Sequence, residues 1–534
     1  VHTRDARFSA NPMAGVVSLG QGQYFVHAVI FTLRKIDLQE EGMMKPIVRR
    51  QFLKAAGLAG VSLLAAGCGV KPSPNKKRPN IVFIMADDMG YGDPGCYNPN
   101  SKIPTPHIDR LAEQGMKFTR AHSPGSLCVP ARYGLLTGRY PFRAERKIGG
   151  FSPTALIESG RMTIASVLQQ NGYQTVCIGK WHLGFENIKD YDYEEPLHGG
   201  PVDRGFDEFF GMHASLDIPP YYYIQNNRPV QAPTDSVAAN STEGVTPIQG
   251  KFWRAGNIAP NFKHEEVLPK FTEKSIEFLK RQTPEQPFFL YLALAAPHTP
   301  WLPSDEFAGT SEAGLYGDFT VQVDHSVGQV LDTLDDLGMT DNTLVFFTSD
   351  NGPVWYEQDQ VTYDHQSTHF LRGMKADAFE GGHRMPFIAR WPGHIPAGAT
   401  TEEIICFTDM LATFAAIVGE PLPSEAGEDS YNILPVLLDS AYQKPLPEAT
   451  VIEGNVLLQG EWKLIIGSGY GGISVRYSPE LQAKRRRESD EVKLFNIKHD
   501  PSETTNLAET HPEIVERLTN LLDTYKAQGR SVRR

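Results

Sequence analysis

Four short apolar runs decide most of what this chain can fold into: NIVFIM at 80–85, YQTVCI at 173–178, PFFLYLALA at 287–295 and TLVFFTS at 343–349. Each is bounded by turn residues, and helical patterns lie between them. Continuous apolar runs of this length are strands buried on both faces, which places them in a mostly parallel sheet covered by helices. The spacing predicts a helix opening at Thr105-Pro106 and stopping at Gly115, with others near 163–172, 318–337 and 408–418. MPFIARW (385–391) reads as a further strand, and the Pro-, Gly-, Tyr- and Asn-rich residues 186–265 as long surface excursions. After about residue 435 the texture changes. TVIEGNVLLQGEWKLIIGSG, with tight turns at Gly454-Asn455 and Gly460-Glu461, and then VKLFNI, predict antiparallel strands. HPEIVERLTNLLDTYKAQ predicts a closing amphipathic helix. The expected fold class is α/β: a large domain over 79–435 and a smaller α+β subdomain over 436–534.

The N-terminal residues read differently. RRQFLKAAGLAGVSLLAAGC (49–68) sets paired arginines before an apolar stretch too short to span a bilayer, and ends at Cys68. The head resembles a twin-arginine export signal and the end a lipobox. Residues 43–68 are therefore expected to be a signal that leaves Cys68 lipid-modified, 69–78 a tether, and 1–42 an upstream extension of the reading frame. The expected location is exported, periplasmic or cell-surface, with the membrane met only through the lipid at Cys68.

The polar residues that follow the strands carry the chemistry, because ligands of open parallel sheets bind beyond the carboxyl ends of the strands. NIVFIM delivers Asp87-Asp88, YQTVCI delivers Lys180 and His182, PFFLYLALA delivers His298, and TLVFFTS delivers Asp350-Asn351. Three carboxylates and an amide are hard oxygen ligands, which select calcium or magnesium. No His/Cys cluster has zinc-ligand spacing, and the chain's 5 cysteines are too few and scattered for a disulfide framework. Arg132, Lys180 and Lys375 are candidate anion clamps, and His182 and His298 candidate proton-transfer groups. Such a constellation suits a phosphate or sulfate ester. A net charge of −12 gives no footprint for nucleic acid. The run Lys484-Arg485-Arg486-Arg487, followed by Glu488, Asp490 and Glu491, reads as a solvated surface loop.

CVPAR (128–132), continued by GLLTGR, resembles the Cys-x-Pro-x-Arg signature of the type I sulfatases of the alkaline phosphatase superfamily. PNIVFIMADDMGYGD, GKWHLG, PHTP, SDNG and LFNIKHDPSETTNL resemble the corresponding segments in the same order, from about Pro79 to the C-terminus. The resemblance implies that a maturation enzyme oxidises Cys128 to formylglycine, whose hydrate is the nucleophile. It implies that Asp87, Asp88, Asp350 and Asn351, with residue 128, hold one calcium ion. Arg132 would hold the hydrate, and Lys180 and Lys375 would grip the sulfate. His298 would lie beside the leaving oxygen and His182 would assist breakdown of the covalent sulfate. Ser215, in GMHASLD, resembles the family's sulfate-contacting serine. Deprotonating the second hydroxyl of such a hydrate expels sulfate and restores the aldehyde, an exit that a cysteine thiolate lacks.

The implied activity is hydrolysis of a sulfated saccharide or aryl sulfate. Two other readings compete. A phosphoesterase of the same superfamily would leave Cys128 unconverted and normally binds two zinc ions with more histidines. An inactive carbohydrate-binding lipoprotein would lack members of the constellation, and none is missing. Cys128 itself can also be read as a small buried residue in the first turn of a helix. Between the family segments, Tyr221, Tyr222 and Tyr223 are read either as a stacking platform for a sugar ring or as packing. His365 and His369 are read either as hydroxyl contacts or as loop caps.

Overall fold

The computed structural model describes residues 78–186, 191–439, 441–442 and 448–532. The expected signal, lipidation site and tether lie outside the described residues.

The strands are β1 (Asn80–Asp87), β2 (Met116–His122), β3 (Gln174–Lys180), β4 (Glu208–Met212), β5 (Ile224–Gln225), β6 (Arg228–Pro229), β7 (Asp235–Val237), β8 (Gly256–Ile258), β9 (Phe288–Pro297), β10 (Thr343–Ser349), β11 (Arg384–Arg390), β12 (Ala399–Thr401), β13 (Ile405–Cys406), β14 (Thr450–Ile452), β15 (Val456–Gln459), β16 (Trp462–Ile466) and β17 (Val492–Asn496). The longer helices are α1 (Pro106–Glu113), α2 (Cys128–Thr137), α3 (Ile164–Gln170), α4 (Val267–Lys280), α5 (Gly314–Asp336), α6 (Met410–Val418), α7 (Pro479–Arg487) and α8 (Pro512–Ala527).

The main sheet has the order β12-β2-β11-β10-β1-β9-β3-β4-β5-β6, with β13 also on β2. β10, β1, β9, β3 and β4 run parallel, while β11 runs antiparallel to both β10 and β2. Every residue of β1, β9 and β10 is buried. Alternate residues of a strand face opposite sides, so both faces of this sheet are covered, as the unbroken apolar runs require. α1, α4 and α5 pack among themselves and onto β9 and β11; α2, α3 and α6 form a second packed group, with α3 against β3. The second sheet, β14-β15-β16-β17, is wholly antiparallel. One of its faces meets Leu518, Leu522 and Tyr525 of α8, and the other meets Phe379. Its turns fall at Gly454 and Gly460, both with positive φ, where the sequence placed them.

Some expectations need correction. Residues 186–265 are not only surface excursions: EFFGM forms β4, which joins the main sheet beside β3. The half-polar β2, MKFTRAH, has no apolar run to announce it, and lies between β11 and the short β12 and β13. The basic run at 484–487 ends helix α7 rather than forming a loop, with Ser478 accepting a hydrogen bond from Leu481 N at its start. Thr105 precedes α1, but its hydroxyl accepts from Gly95 N and donates to Asp109 instead of capping the helix. The four described cysteines, Cys96, Cys128, Cys177 and Cys406, are unpaired.

Candidate active site

The four neighbouring parallel strands β10, β1, β9 and β3 end on the same side, and each delivers its polar residues there. Asp87 closes β1, Lys180 closes β3, His298 follows the last residue of β9, and Asp350-Asn351 follow β10. Asp88 (φ 64°) and His182 (φ 59°) adopt the left-handed backbone just past their strands, as does Ala376 (φ 72°) beside Lys375. Non-glycine residues hold such conformations at a cost of about 1–3 kcal/mol each, a pattern that collects at functional sites.

Cys128 is the first residue of α2, a helix buried along its whole length. Arg132 lies one turn further and so on the same face. Its guanidinium donates to Asp350 Oδ2 from Nε at 3.2 Å and Nη2 at 2.9 Å, and from Nη1 to the Lys180 carbonyl at 2.9 Å. Arg132 thereby ties α2 to the ends of β10 and β3. Lys180 Nζ donates to Asp87 Oδ2. Lys375 Nζ donates to Asp88 Oδ1 at 2.5 Å, and Asn351 Nδ2 donates to the same oxygen at 2.6 Å. His298 Nδ1 donates to the Thr299 carbonyl at 2.6 Å, which leaves Nε2 facing Asp88 Oδ2 at 3.7 Å.

These ionic groups are buried, and burial alone would neutralise the acids. Burial pushes Asp350 up to about 7, with the Asp87 carboxylate adding to it. Against the same burial, Lys180, His298 and Arg132 hold Asp87 well below the usual carboxylate range. Burial pushes the Cys128 thiol up to about 11 although Lys180 and Lys375 oppose it, so an unmodified Cys128 is a protonated, weak nucleophile at neutral pH. Burial, then Lys180 and Arg132, drive His182 far below its ordinary value. It is a neutral imidazole, and neither ring nitrogen has a hydrogen-bond partner.

The donor set fits a hard divalent cation. Ligand atoms of Asp87, Asp88, Cys128 and His298 lie within 4.8 Å of one another. Asp87 Oδ1 and Asn351 Oδ1 are buried oxygens with no hydrogen-bond partner, each of which costs about 1–3 kcal/mol unless something binds it. Three carboxylates (Asp87, Asp88, Asp350) face three cations (Arg132, Lys180, Lys375). A divalent ion added to that balance leaves an excess of positive charge, suited to an anionic ester.

A cavity of about 260 Å³ opens over these residues, lined by Asp88, Cys128, His182, Ser215, His298 and Lys375. The structure thus brings Ser215 to the same cavity as Lys375, while Arg132 and Lys180 do not line it. Tyr221 and Tyr222 do not stack there: both are buried against neighbouring rings, and Tyr223 packs on Phe210 and Phe262. His365 is buried and hydrogen-bonded to Asp93 at 2.9 Å, while His369 lies by a separate surface hollow. Neither reaches the main cavity. The sequence reading missed Phe151, Asp217, Arg254, Trp301, Tyr316 and Arg476, which also line it. Tyr316 was hidden inside the long helix α5, yet its hydroxyl donates to Asp93 Oδ2 and lies 3.0 Å from the carbonyl of the strained Asp88. The others stand on loops with no motif to mark them.

A family model described as Sulfatase matches residues 79–420. An N-acetylgalactosamine-6-O-sulfatase of Bacteroides thetaiotaomicron is 34% identical, over 88% of this chain and 98% of its own. The human N-acetylgalactosamine-6-sulfatase is 34% identical, over 70% of this chain and 68% of its own. A solved structure from work on the metabolism of multiple glycosaminoglycans by Bacteroides thetaiotaomicron superposes with a TM-score of 0.75 at 33% identity, covering 85% of this chain and all of that one.

Proposed function

The chain belongs to the sulfatase family and is a sulfuric ester hydrolase, and from that premise we propose that it removes sulfate from a sulfated saccharide, using a formylglycine made from Cys128 and one calcium ion. The observation that carries this reading is the placement of Cys128 at the head of α2, in one ligand cluster with Asp87, Asp88 and His298. Similarity to proteins named for N-acetylgalactosamine 6-sulfate supports a sugar as the carrier of the ester. Export and a lipid anchor at Cys68 belong to the same proposal, since sulfated polysaccharide is met outside the cell.

Asp87, Asp88, Asp350 and Asn351 would hold the cation together with residue 128, and the bound ion would neutralise charge developing on the ester and lower the pKa of the attacking hydroxyl. Converted residue 128 supplies that hydroxyl and a second one whose deprotonation frees sulfate. The chain's own residues do the rest. Arg132 fixes residue 128 and Asp350 in one frame. Lys180 and Lys375, whose ammonium groups now rest on Asp87 and Asp88, turn to the sulfate oxygens when the ester enters. His298, held by its Nδ1–H on Thr299, presents Nε2 to the leaving oxygen and delivers a proton there. Neutral His182, with unpartnered nitrogens, accepts a proton when sulfate departs.

The cation half of this reading is tested by chelation. Exhaustive removal of divalent ions should abolish release of sulfate, calcium should restore it, and Asp87→Asn should bind less calcium at equilibrium. Undiminished activity in metal-free protein would overturn it.

A further inference from the structure

Ser215, His298 and Lys375 line the cavity, and two arginines outside the expected sulfate site, Arg254 and Arg476, line it as well. Arg254 is held there from several sides. Its guanidinium pairs with Asp217 Oδ2, and Nη1 also donates to the Asp217 carbonyl at 3.1 Å. The group sits 5.2 Å from the centre of the Phe252 ring. Tyr221 Oη donates to the Arg254 carbonyl at 2.7 Å, with the Asp217 carbonyl 3.1 Å away, so the ring sits between the two loops. Asp217 is buried while the Arg254 side chain is 49% exposed, so a buried carboxylate holds a half-exposed guanidinium. Arg476, from the loop between β16 and α7, lines the same cavity. It is exposed, and neither it nor Arg485 has an acidic partner among the described residues.

Arg485 stands beside that loop. Its Nη1 lies 4.0 Å from where a Cβ on Gly472 would stand, so the basic end of α7 lies against the same loop that carries Arg476. Of the acids that follow the run, Glu488 meets Lys493 at 3.0 Å and Lys484 at 4.0 Å, and Glu491 also meets Lys493, while Asp490 is exposed. Ile218, Ile248 and Ile473 line the same cavity. Low-dielectric walls strengthen the pull of a guanidinium on an anion.

Resting on the sulfatase reading above, we propose that Arg254, Arg476 and Arg485 form an outer anion track, and that the substrate is an oligosaccharide carrying further anionic groups on the sugars next to the scissile sulfate. Arginine suits this task because its planar fork takes carboxylates and sulfates through two parallel hydrogen bonds. The chemistry shared by a uronate carboxylate and a second sulfate is what the track recognises.

The test compares the wild type with the surface double variant Arg476→Ala/Arg485→Ala on three substrates: an aryl sulfate, a sulfated monosaccharide, and a sulfated tetrasaccharide that also bears carboxylates. The variant should lose about ten-fold or more in kcat/KM on the tetrasaccharide, with a flatter dependence on salt, and keep its rates on the other two. Carboxyl-reduced and singly sulfated forms of the tetrasaccharide then tell the two anions apart, since the one recognised is the one whose removal costs the wild type and not the variant. An equal loss on all three substrates, or no loss on the tetrasaccharide, would overturn the track. The aryl sulfate reports the chemistry alone, so a wild type inactive on it would point to failure of the sulfatase reading, whereas a uniform ratio between variant and wild type points to failure of the track.

Discussion

His298 shows how a single residue's role can be read from its hydrogen bonds. With Nδ1 committed to Thr299 and Nε2 facing Asp88, its proposed role is to protonate the leaving oxygen. A sugar hydroxyl needs that proton as the bond breaks, while a nitrophenolate leaves without it. General acid catalysis is worth roughly 10²- to 10⁴-fold, so His298→Ala should lose about that much kcat on a sugar sulfate and far less on nitrophenyl sulfate. Equal losses on the two would make His298 a binding group. At this scale the sequence was most legible where strands end: Asp87, Lys180, His298 and Asp350 each follow an apolar run. Tyr316 and Arg254 were not legible, because one sits in a helix and the other on a loop, and only three-dimensional packing brings them to the site.

At the scale of the element, the site depends on how closely β3 fits its neighbours. Gly179 has φ 120° and precedes Lys180; a Cβ there would stand 1.8 Å from the Ala293 carbonyl oxygen of β9. Both the backbone angle and the lack of space demand glycine. Gly179→Ala should destabilise the protein by roughly 3 kcal/mol, the upper end for overpacking. It should also cost about 10²-fold in kcat by displacing Lys180, the loss expected for a misplacement of about 1 Å. Thermal unfolding and steady-state kinetics check both; a variant of unchanged stability would contradict the close strand contact. The buried parallel strands were legible because short apolar runs bounded by turn residues, with helical patterns between them, are what a doubly covered sheet uses. β2 was not, since its alternating residues KFTR carry no such run, and α7 was not, since four successive basic residues suggest repulsion more than a helix end.

Across the whole molecule, one buried polar cluster joins the two sheets. Lys463 of β16 donates to Glu380 at 3.0 Å and His383 at 3.0 Å, both beside β11, and pairs with Glu503 at 2.8 Å. One ammonium serves two buried carboxyls, so they differ. Burial, aided by Glu380, pushes Glu503 up to about 7, while Lys463 and the nearby histidines outweigh burial and hold Glu380 low. The signs follow from proton binding. The folded state holds the Glu503 proton more tightly than the unfolded chain, so this residue costs stability as pH rises from its ordinary 4.5 towards about 7. Glu380 has the opposite sign and costs stability as pH falls through and below its own ordinary 4.5. Between pH 5 and 7 the wild type should therefore lose Tm relative to Glu503→Gln, which keeps the hydrogen-bonding shape without the titration. Parallel Tm profiles would contradict the shared-proton arrangement. No sequence pattern announces this cluster, because Lys463 stands 80 positions from His383 and Glu503 stands 123 from Glu380.

The account turns on what residue 128 is in the working enzyme, and that is measured directly by mass spectrometry of the tryptic peptide spanning residues 121–132, taken from preparations of known specific activity. The peptide should run about 18 Da lighter than its cysteine form, the change from thiol to aldehyde, and the converted fraction should track activity from one preparation to the next. Full activity in a preparation whose peptide is entirely cysteine would contradict the account.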